Sequence, residues 1–304
     1  MNSTGYTLGI NTSFAVKRWP EPERWAPFVE ELGVQLVQHT FDLVDLDGPA
    51  DYIQAQAGSV RDACRSCGLH LHSTFTGLAA YSSNLLLHPD DRIRTRAEDW
   101  YRRAIDFSAG AGAGSTGGHL GAFSLNDWRD QDRKRALTED LEKTLDRLTR
   151  YARVRGLRSL LVENMAAARE PSTMRWMTRL ITPGDEDRVP VTLCLDVGHQ
   201  CVPGTEGAER DPYTWLERLG SGAEVVHLQQ TDASADHHWA FTEETNAAGR
   251  IRAEDVLTAL EASGAREVAL VLEVVPAFEA DDDSVLRDIT ASIGYWRQAL
   301  DRYA

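Results

Sequence analysis

The chain predicts a single (β/α)8 barrel, the TIM-barrel class of α/β fold, as one domain over residues 1–304. Three observations predict it. Short Val- and Leu-rich runs, of the kind that form buried parallel strands, alternate with amphipathic helical stretches eight times. The first run leads into INTSFAVKRWPEP, which lacks the glycine-rich phosphate loop that an open doubly wound sheet would want. Finally, each of the last four runs ends or nearly ends in an acid or an imidazole: Glu163 in SLLVEN, Asp196 in VTLCLDVGH, His227 in EVVHLQQ and Glu273 in VALVLEV.

In order, YTLGINTSF from Tyr6 reads as the first strand. EPERWAPFVEELG is the first helix, with Gly33 as its C-cap. VQLVQHTF is the second strand and DYIQAQAGSVRDACRSCG the second helix; LHLHSTFTG is the third strand. A helix from about Pro89 to Ala113 carries apolar Ile93, Ala97, Trp100, Ala104 and Phe107. STGGHLGAFS is the fourth strand, followed by a long helix from about Asp127 to Arg155. PSTMRWMTRLI, DPYTWLERLG and AEDVLTALEASG separate the last four strands, and a helix from about Asp283 to Tyr303 closes the chain. The long polar and aromatic stretch TDASADHHWAFTEETNAAGRI after strand seven would lie over a barrel mouth, with Trp239 and Phe241 placed to shield a pocket.

Composition bounds the function. A chain of 304 residues with 42% apolar content can bury a large core. Its net charge of −15 repels phosphate backbones, so nucleic acid is a poor partner. No segment is long and apolar enough to cross a membrane. MNSTGYTLGINTSF lacks a basic region followed by an apolar stretch, so no signal peptide is expected and cytoplasm is the default. Cys64 and Cys67 form a C-x-x-C spacing with no second pair to complete a zinc knuckle, and read as plain thiols.

Glu163, Asp196, His227 and Glu273 are spaced by 33, 31 and 46 positions, room for a strand, loop and helix each time. Barrel closure would bring them to one mouth, where three carboxylates repel unless a divalent cation holds them. Asp196 and His199 form a D-x-x-H step, with His199 as a second ligand or a substrate contact. Alternation puts Gln229 on the same face as His227. Arg169, after strand five, either neutralises a substrate phosphate or is a solvated arginine near a helix start.

These residues resemble the xylose-isomerase-like superfamily of sugar and sugar-phosphate isomerases and epimerases. Its ketose 3-epimerases hold one divalent ion with Glu, Asp, His and Glu in this strand order, so the resemblance implies that Glu163, Asp196, His227 and Glu273 are the ligands and that His199 binds a substrate oxygen. Those epimerases carry a Gly-Glu pair and an Arg after the metal His. Here the segment is Leu228-Gln229-Gln230-Thr231-Asp232-Ala233, so sugar recognition differs. HLQQTD, HHWAFT and TFTGLAAYSSNLLLHP most resemble proteins of erythritol breakdown, which act on erythrulose phosphates. The superfamily also contains endonuclease IV, a trinuclear zinc phosphodiesterase. His72, His119 and the pair Asp236 and His238 stand where its extra ligands would be, or else contact a sugar. By resemblance, dimers or tetramers are common among such barrels, so a homo-oligomer is one open assembly state.

The implied chemistry is epimerisation or isomerisation of a ketose or ketose phosphate. Glu163 and Glu273 would act as base and acid on either side of an enediolate stabilised by the ion. Mostly oxygen ligands suit Mn²⁺, Co²⁺ or Mg²⁺, with Zn²⁺ open. A lyase using the same enolate, or the endonuclease-type hydrolase, are the alternatives. Elimination changes product mass, and three zinc ions per chain would mark the hydrolase.

Overall fold

The computed structural model describes residues 5–303. The expectation over residues 1–304 also covers Met1–Thr4 and Ala304, which lie outside the described residues. Eight parallel strands close a barrel in chain order: β1 (Gly5–Asn11), β2 (Leu36–Thr40), β3 (His70–Phe75), β4 (Ser115–Gly118), β5 (Ser159–Glu163), β6 (Val191–Asp196), β7 (Ala223–Leu228) and β8 (Glu267–Leu272). Pairing of β1 with β8, from Gly5↔Glu267 to Ile10↔Leu272, closes the ring. The helices are α1 (Pro22–Glu31), α2 (Ala50–Ser66), α3 (Asp91–Ala111), α4 (Leu125–Arg129), α5 (Gln131–Val154), α6 (Met174–Leu180), α7 (Pro212–Leu219), α8 (Glu243–Ala248), α9 (Ala253–Ser263) and α10 (Asp282–Tyr303).

Four elements differ from expectation, each for a local reason. The helix expected from Asp127 to Arg155 is two helices. Asp130 is extended (φ −97°, ψ 110°), and its carboxylate accepts the N–H groups of Asp132 and Arg133, which starts α5 afresh. The first strand stops at Asn11, whose side chain accepts the Ser13 N–H and turns the chain into a 3₁₀ turn over Thr12–Ala15. The fourth strand ends at Gly118, where φ is +123° and a Cβ would meet the Thr76 hydroxyl at 2.0 Å. The loop after β7 adds α8, opened by a capping box on Thr242.

Alternate strand residues point to opposite faces, so the barrel has two apolar layers. Leu36, Phe75, Leu161, Cys194, Val225, Ala269 and Val271 fill its interior. Trp25, Phe107, Trp296 and many aliphatic side chains pack between strands and helices. All four cysteines are free thiols, and no described helix is long and apolar enough to cross a membrane.

Two bulges re-aim polar side chains. Val37 pairs with Leu71 but Gln38 with Ser73, which leaves His72 as an extra residue in β3. Leu193 pairs with Ala223 but Cys194 with Val225, which leaves Glu224 extra in β7. They meet near the N-terminal ends of the strands, with His72 Nε2 3.7 Å from Glu224 Oε1. There Glu224 accepts hydrogen bonds from Ser115 (2.5 Å), Thr192 (3.0 Å) and Ser159. Together they form a polar floor to the barrel.

Candidate active site and metal centre

The opposite end of the barrel gathers the run-ending residues. Glu163 is the last residue of β5 and Asp196 of β6; His227 is the next-to-last of β7, and Glu273 directly follows β8. The register sets Asp196 beside His227. One ligand-type atom from each of the four lies within 4.8 Å of all the others. They are 1%, 0%, 0% and 8% exposed respectively. Among the described residues, the ion-pair partners of the three carboxylates are histidines alone: His199, His227 and His238.

A chain of hydrogen bonds fixes which nitrogen of His227 faces this cluster. The Ser13 N–H donates to Asn11 Oδ1 (2.8 Å), so Asn11 presents its NH₂ group to Gln38 Oε1 (2.7 Å) and Glu273 Oε1 (3.2 Å). Gln38 then donates through Nε2 to Ser73 (3.1 Å), and its Oε1 accepts the Nε2–H of His227 (2.6 Å). Nδ1 of His227 is left facing Glu163 Oε1 at 3.2 Å and Glu273 Oε2 at 2.9 Å. A bare lone pair against two carboxylates is untenable, so this point demands a positive charge. The same demand sets the direction in which each group's pKa moves. Burial would lower His227, but Cys194, Glu273 and Glu163 raise it well above its usual value. Burial raises Glu163, partly offset by His227 and His199. Burial also pushes Glu273 upward, but His227 and His238 outweigh it and hold Glu273 below the usual range. The donor set of three carboxylates and one imidazole fits a divalent cation with hard-ligand preference.

Asp196 is held firmly. Its Oδ1 accepts the N–H groups of Gly198 (2.6 Å) and His199 (3.0 Å), and Asn164 brackets its backbone N–H and carbonyl. His199 donates Nδ1–H to the Asn164 carbonyl (2.7 Å), which turns Nε2 toward Asp236 Oδ2 at 3.2 Å. His238 Nε2 lies 3.1 Å from Asp236 Oδ1. Burial opposes charge on each member of this trio, but mutual attraction wins. His199 is raised well above its usual value, His238 is raised to about 9, and Asp236 is held far below the usual range.

Tyr81 covers the mouth, a residue that sequence reasoning passed over. It sits in the 3₁₀ turn Leu78–Ser82 after β3, which Asp42 pins by accepting the N–H groups of Leu78 (2.6 Å) and Ala79 (3.1 Å). Its ring stacks on His119, with centroids 5.0 Å apart and planes 5° apart. Burial of its hydroxyl, then the charges of Glu163, Glu273, Asp236 and Asp196, push its pKa well above 10. His119 is fully buried, its N–H bound to Thr76 (2.8 Å) and its carbonyl accepting from Tyr101. Its Nε2 is 3.4 Å from Glu170, a buried carboxylate that sequence reading also missed. An aromatic within a loop after a barrel strand was the available signal for Tyr81. Polar residues inside apolar runs, Asn11 in GIN and Gln38 in LVQHT, were the signal for the network behind His227.

The structure thus brings Glu163, Asp196, His199, His227, Gln229, His238 and Glu273 together, with His119 at the rim. It does not bring His72 there. The bulge in β3 sends His72 to the barrel floor against Glu224, so the expected substrate contact is corrected. Arg169 is exposed, and its guanidinium donates to the Phe123 carbonyl (2.7 Å), tying the loop after β5 to the loop after β4. Phe241 packs against Tyr295 and Trp296 of α10 and so leaves the mouth; Trp239 stacks on His237.

A closed barrel with a buried cluster of three carboxylates and an imidazole at the C-terminal ends of its strands is an enzyme-type architecture. The chain belongs to the xylose isomerase-like TIM-barrel family, whose profile matches residues 27–291. It is 26% identical over 303 residues to a D-erythrulose 1-phosphate 3-epimerase of Brucella abortus (strain 2308), covering 97% of this chain and 96% of that one. A crystal structure of a candidate xylose isomerase from Rhodospirillum rubrum ATCC 11170 matches with TM-score 0.89 and 32% identity, over 97% of this chain and 99% of the other. The fold is shared also with D-psicose 3-epimerase from Clostridium cellulolyticum H10, crystallised with D-tagatose, at TM-score 0.69 and 16% identity over 97% and 99% of the two chains.

Proposed function

We propose that this chain is a single-domain, divalent-metal-dependent epimerase or isomerase of a ketose phosphate, with a tetrulose phosphate such as erythrulose phosphate as the foremost candidate. The observation that carries the reading is the convergence of Glu163, Asp196, His227 and Glu273 within 4.8 Å in a buried site, with no Lys or Arg among their ion-pair partners in the described residues. Whole-length likeness to the Brucella protein supports the substrate class.

Glu163, Asp196, His227 and Glu273 would hold the ion, Mn²⁺ foremost with Co²⁺ or Mg²⁺ as alternatives. A bound divalent ion supplies Lewis acidity that makes the proton next to a ketose carbonyl removable. Glu163 and Glu273 flank the centre from β5 and from the end of β8, with β6 and β7 between them. One takes the proton and the other returns it to the opposite face, as inversion requires. Asp196 and His227 take no proton duty. His199 and Asp236 orient substrate hydroxyls, while Tyr81 on its His119 platform covers the reacting carbon and excludes water. The endonuclease-type reading loses one of its ligand places, because His72 lies at the floor. The reaction belongs in the cytoplasm, where sugar phosphates are made and used.

The test is a substrate panel on metal-stripped and reloaded protein. Free and phosphorylated tetruloses and hexuloses are compared by product analysis. The expected result is epimer or isomer formation with a tetrulose phosphate that vanishes on chelation and returns with Mn²⁺. Turnover indifferent to chelation, or a product of lower mass, counts against the proposal.

A further inference from the structure

A second group of donors lies beside the quartet: Asp196, His199 and His238 have ligand-type atoms within 4.8 Å of one another, and Asp236 joins them. On composition alone it is a second cation site. The side chain of Gln229 occupies its middle. The backbone N–H of His238 donates to Gln229 Oε1 at 2.7 Å, so the amide oxygen is identified by an unambiguous donor. The NH₂ group therefore points the other way, 3.0 Å from Asp196 Oδ1, 2.9 Å from Asp236 Oδ1 and 3.2 Å from His238 Nε2.

We infer that the Gln229 amide stands in for a second metal ion and restricts this site to one. Its two hydrogens meet carboxylates from two different elements, the end of β6 and the loop after β7, the task a bridging cation would perform. An ion at metal–ligand distance from the same oxygens would have to evict the amide. Two further features hold the amide in place. Residue 198 is glycine, and a Cβ there would lie 2.4 Å from Gln229 Cδ. His238 accepts a left-handed backbone (φ +49°), which costs a non-glycine residue energy, and its N–H grips the amide oxygen. With no ion to ligate, Asp236 keeps its partly exposed carboxylate (27%) for recognition. A carboxylate held between two imidazoles keeps its remaining lone pairs for sugar hydroxyls, so it would read the sugar end of the substrate.

This inference rests on the quartet being a metal site, and one experiment separates the two. Metal per chain is counted after equilibration with Mn²⁺ or Zn²⁺ and removal of free ion, in the parent, in Gln229→Ala and in Gln229→Glu. The Mn²⁺ samples are also examined by EPR. The parent count tests the quartet, with one ion expected and none overturning the metal reading. The difference between variant and parent tests Gln229. Gln229→Glu keeps the side-chain volume, exchanges the amide for a third carboxylate, and guards against a failure of Gln229→Ala to fold. A gain of one ion, with the EPR signature of a coupled Mn²⁺ pair, is expected in the variants. A parent that already holds two ions, or variants whose count equals the parent's, overturns the inference.

Discussion

The two ends of the barrel hold acid–imidazole clusters of opposite character. At the floor, one carboxylate, Glu224, receives three hydroxyl hydrogen bonds and faces one imidazole, His72. At the mouth, three carboxylates crowd one imidazole, and a relay through Asn11 and Gln38 turns its free nitrogen into the crowd. The floor is satisfied by its own neighbours. The mouth is not, and its shortfall is a positive charge. The difference teaches that polarity inside a barrel signals function only where the chain leaves the account open. A satisfied cluster such as the floor stiffens the fold, whereas an over-acidic one marks a candidate site.

The largest expected effect is at the mouth. Glu273→Gln keeps the shape and removes the proton acceptor. Turnover should fall by about 10²–10⁴, while the circular-dichroism spectrum and Tm stay near the parent's. Near-normal turnover would remove Glu273 from the proton path. Next comes the relay behind the mouth. Gln38→Leu takes away the acceptor of the His227 Nε2–H, and Mn²⁺ affinity by titration calorimetry should weaken about 10–100-fold. Unchanged affinity would show that the tautomer is set by other means. Tyr81→Phe removes the hydroxyl above the carboxylates. A loss of about tenfold in kcat/KM, the worth of one hydrogen bond, is expected with metal affinity unchanged.

The smallest effect is at the floor, and it is one of stability. Burial depresses His72 to about 4, Glu224 pulling partly back. The unfolded chain binds that proton near 6.5 and the folded chain only near 4, so the unfolded state holds more protons between these values. Stability should therefore fall as pH drops from 6.5 toward 4, by on the order of 3 kcal/mol at most from this group. His72→Gln should flatten that part of the Tm–pH curve and leave kcat at neutral pH alone. A curve as steep as the parent's would place the titration elsewhere.

The barrel and its four run-ending residues were legible because strand, loop and helix recur with acids at the strand tips, where neither burial nor solvent explains a carboxylate after Leu-Leu-Val. The role of His72 was not legible. A bulge shifts the register by one residue, and nothing in HLHSTF announces it. Tyr81 and Asp42 were missed because their meeting joins two loops about forty residues apart. Gln229 was placed on the correct face by alternation, but its position among Asp196, Asp236 and His238 depends on the loop after β7 folding back through the Gln230–Trp239 bridge. The break at Asp130 could have been read: RDQDRK places an aspartate directly before a helix-forming run, a start signal inside an expected helix.

The central claim, that the mouth moves a proton on a ketose phosphate, is tested most directly by solvent exchange. Reloaded protein is incubated with erythrulose phosphate in D₂O, and both recovered substrate and product are examined by NMR and mass spectrometry. One deuterium on the carbon next to the carbonyl, absent with Glu273→Gln, is the predicted result. Product that carries no solvent deuterium would contradict the account.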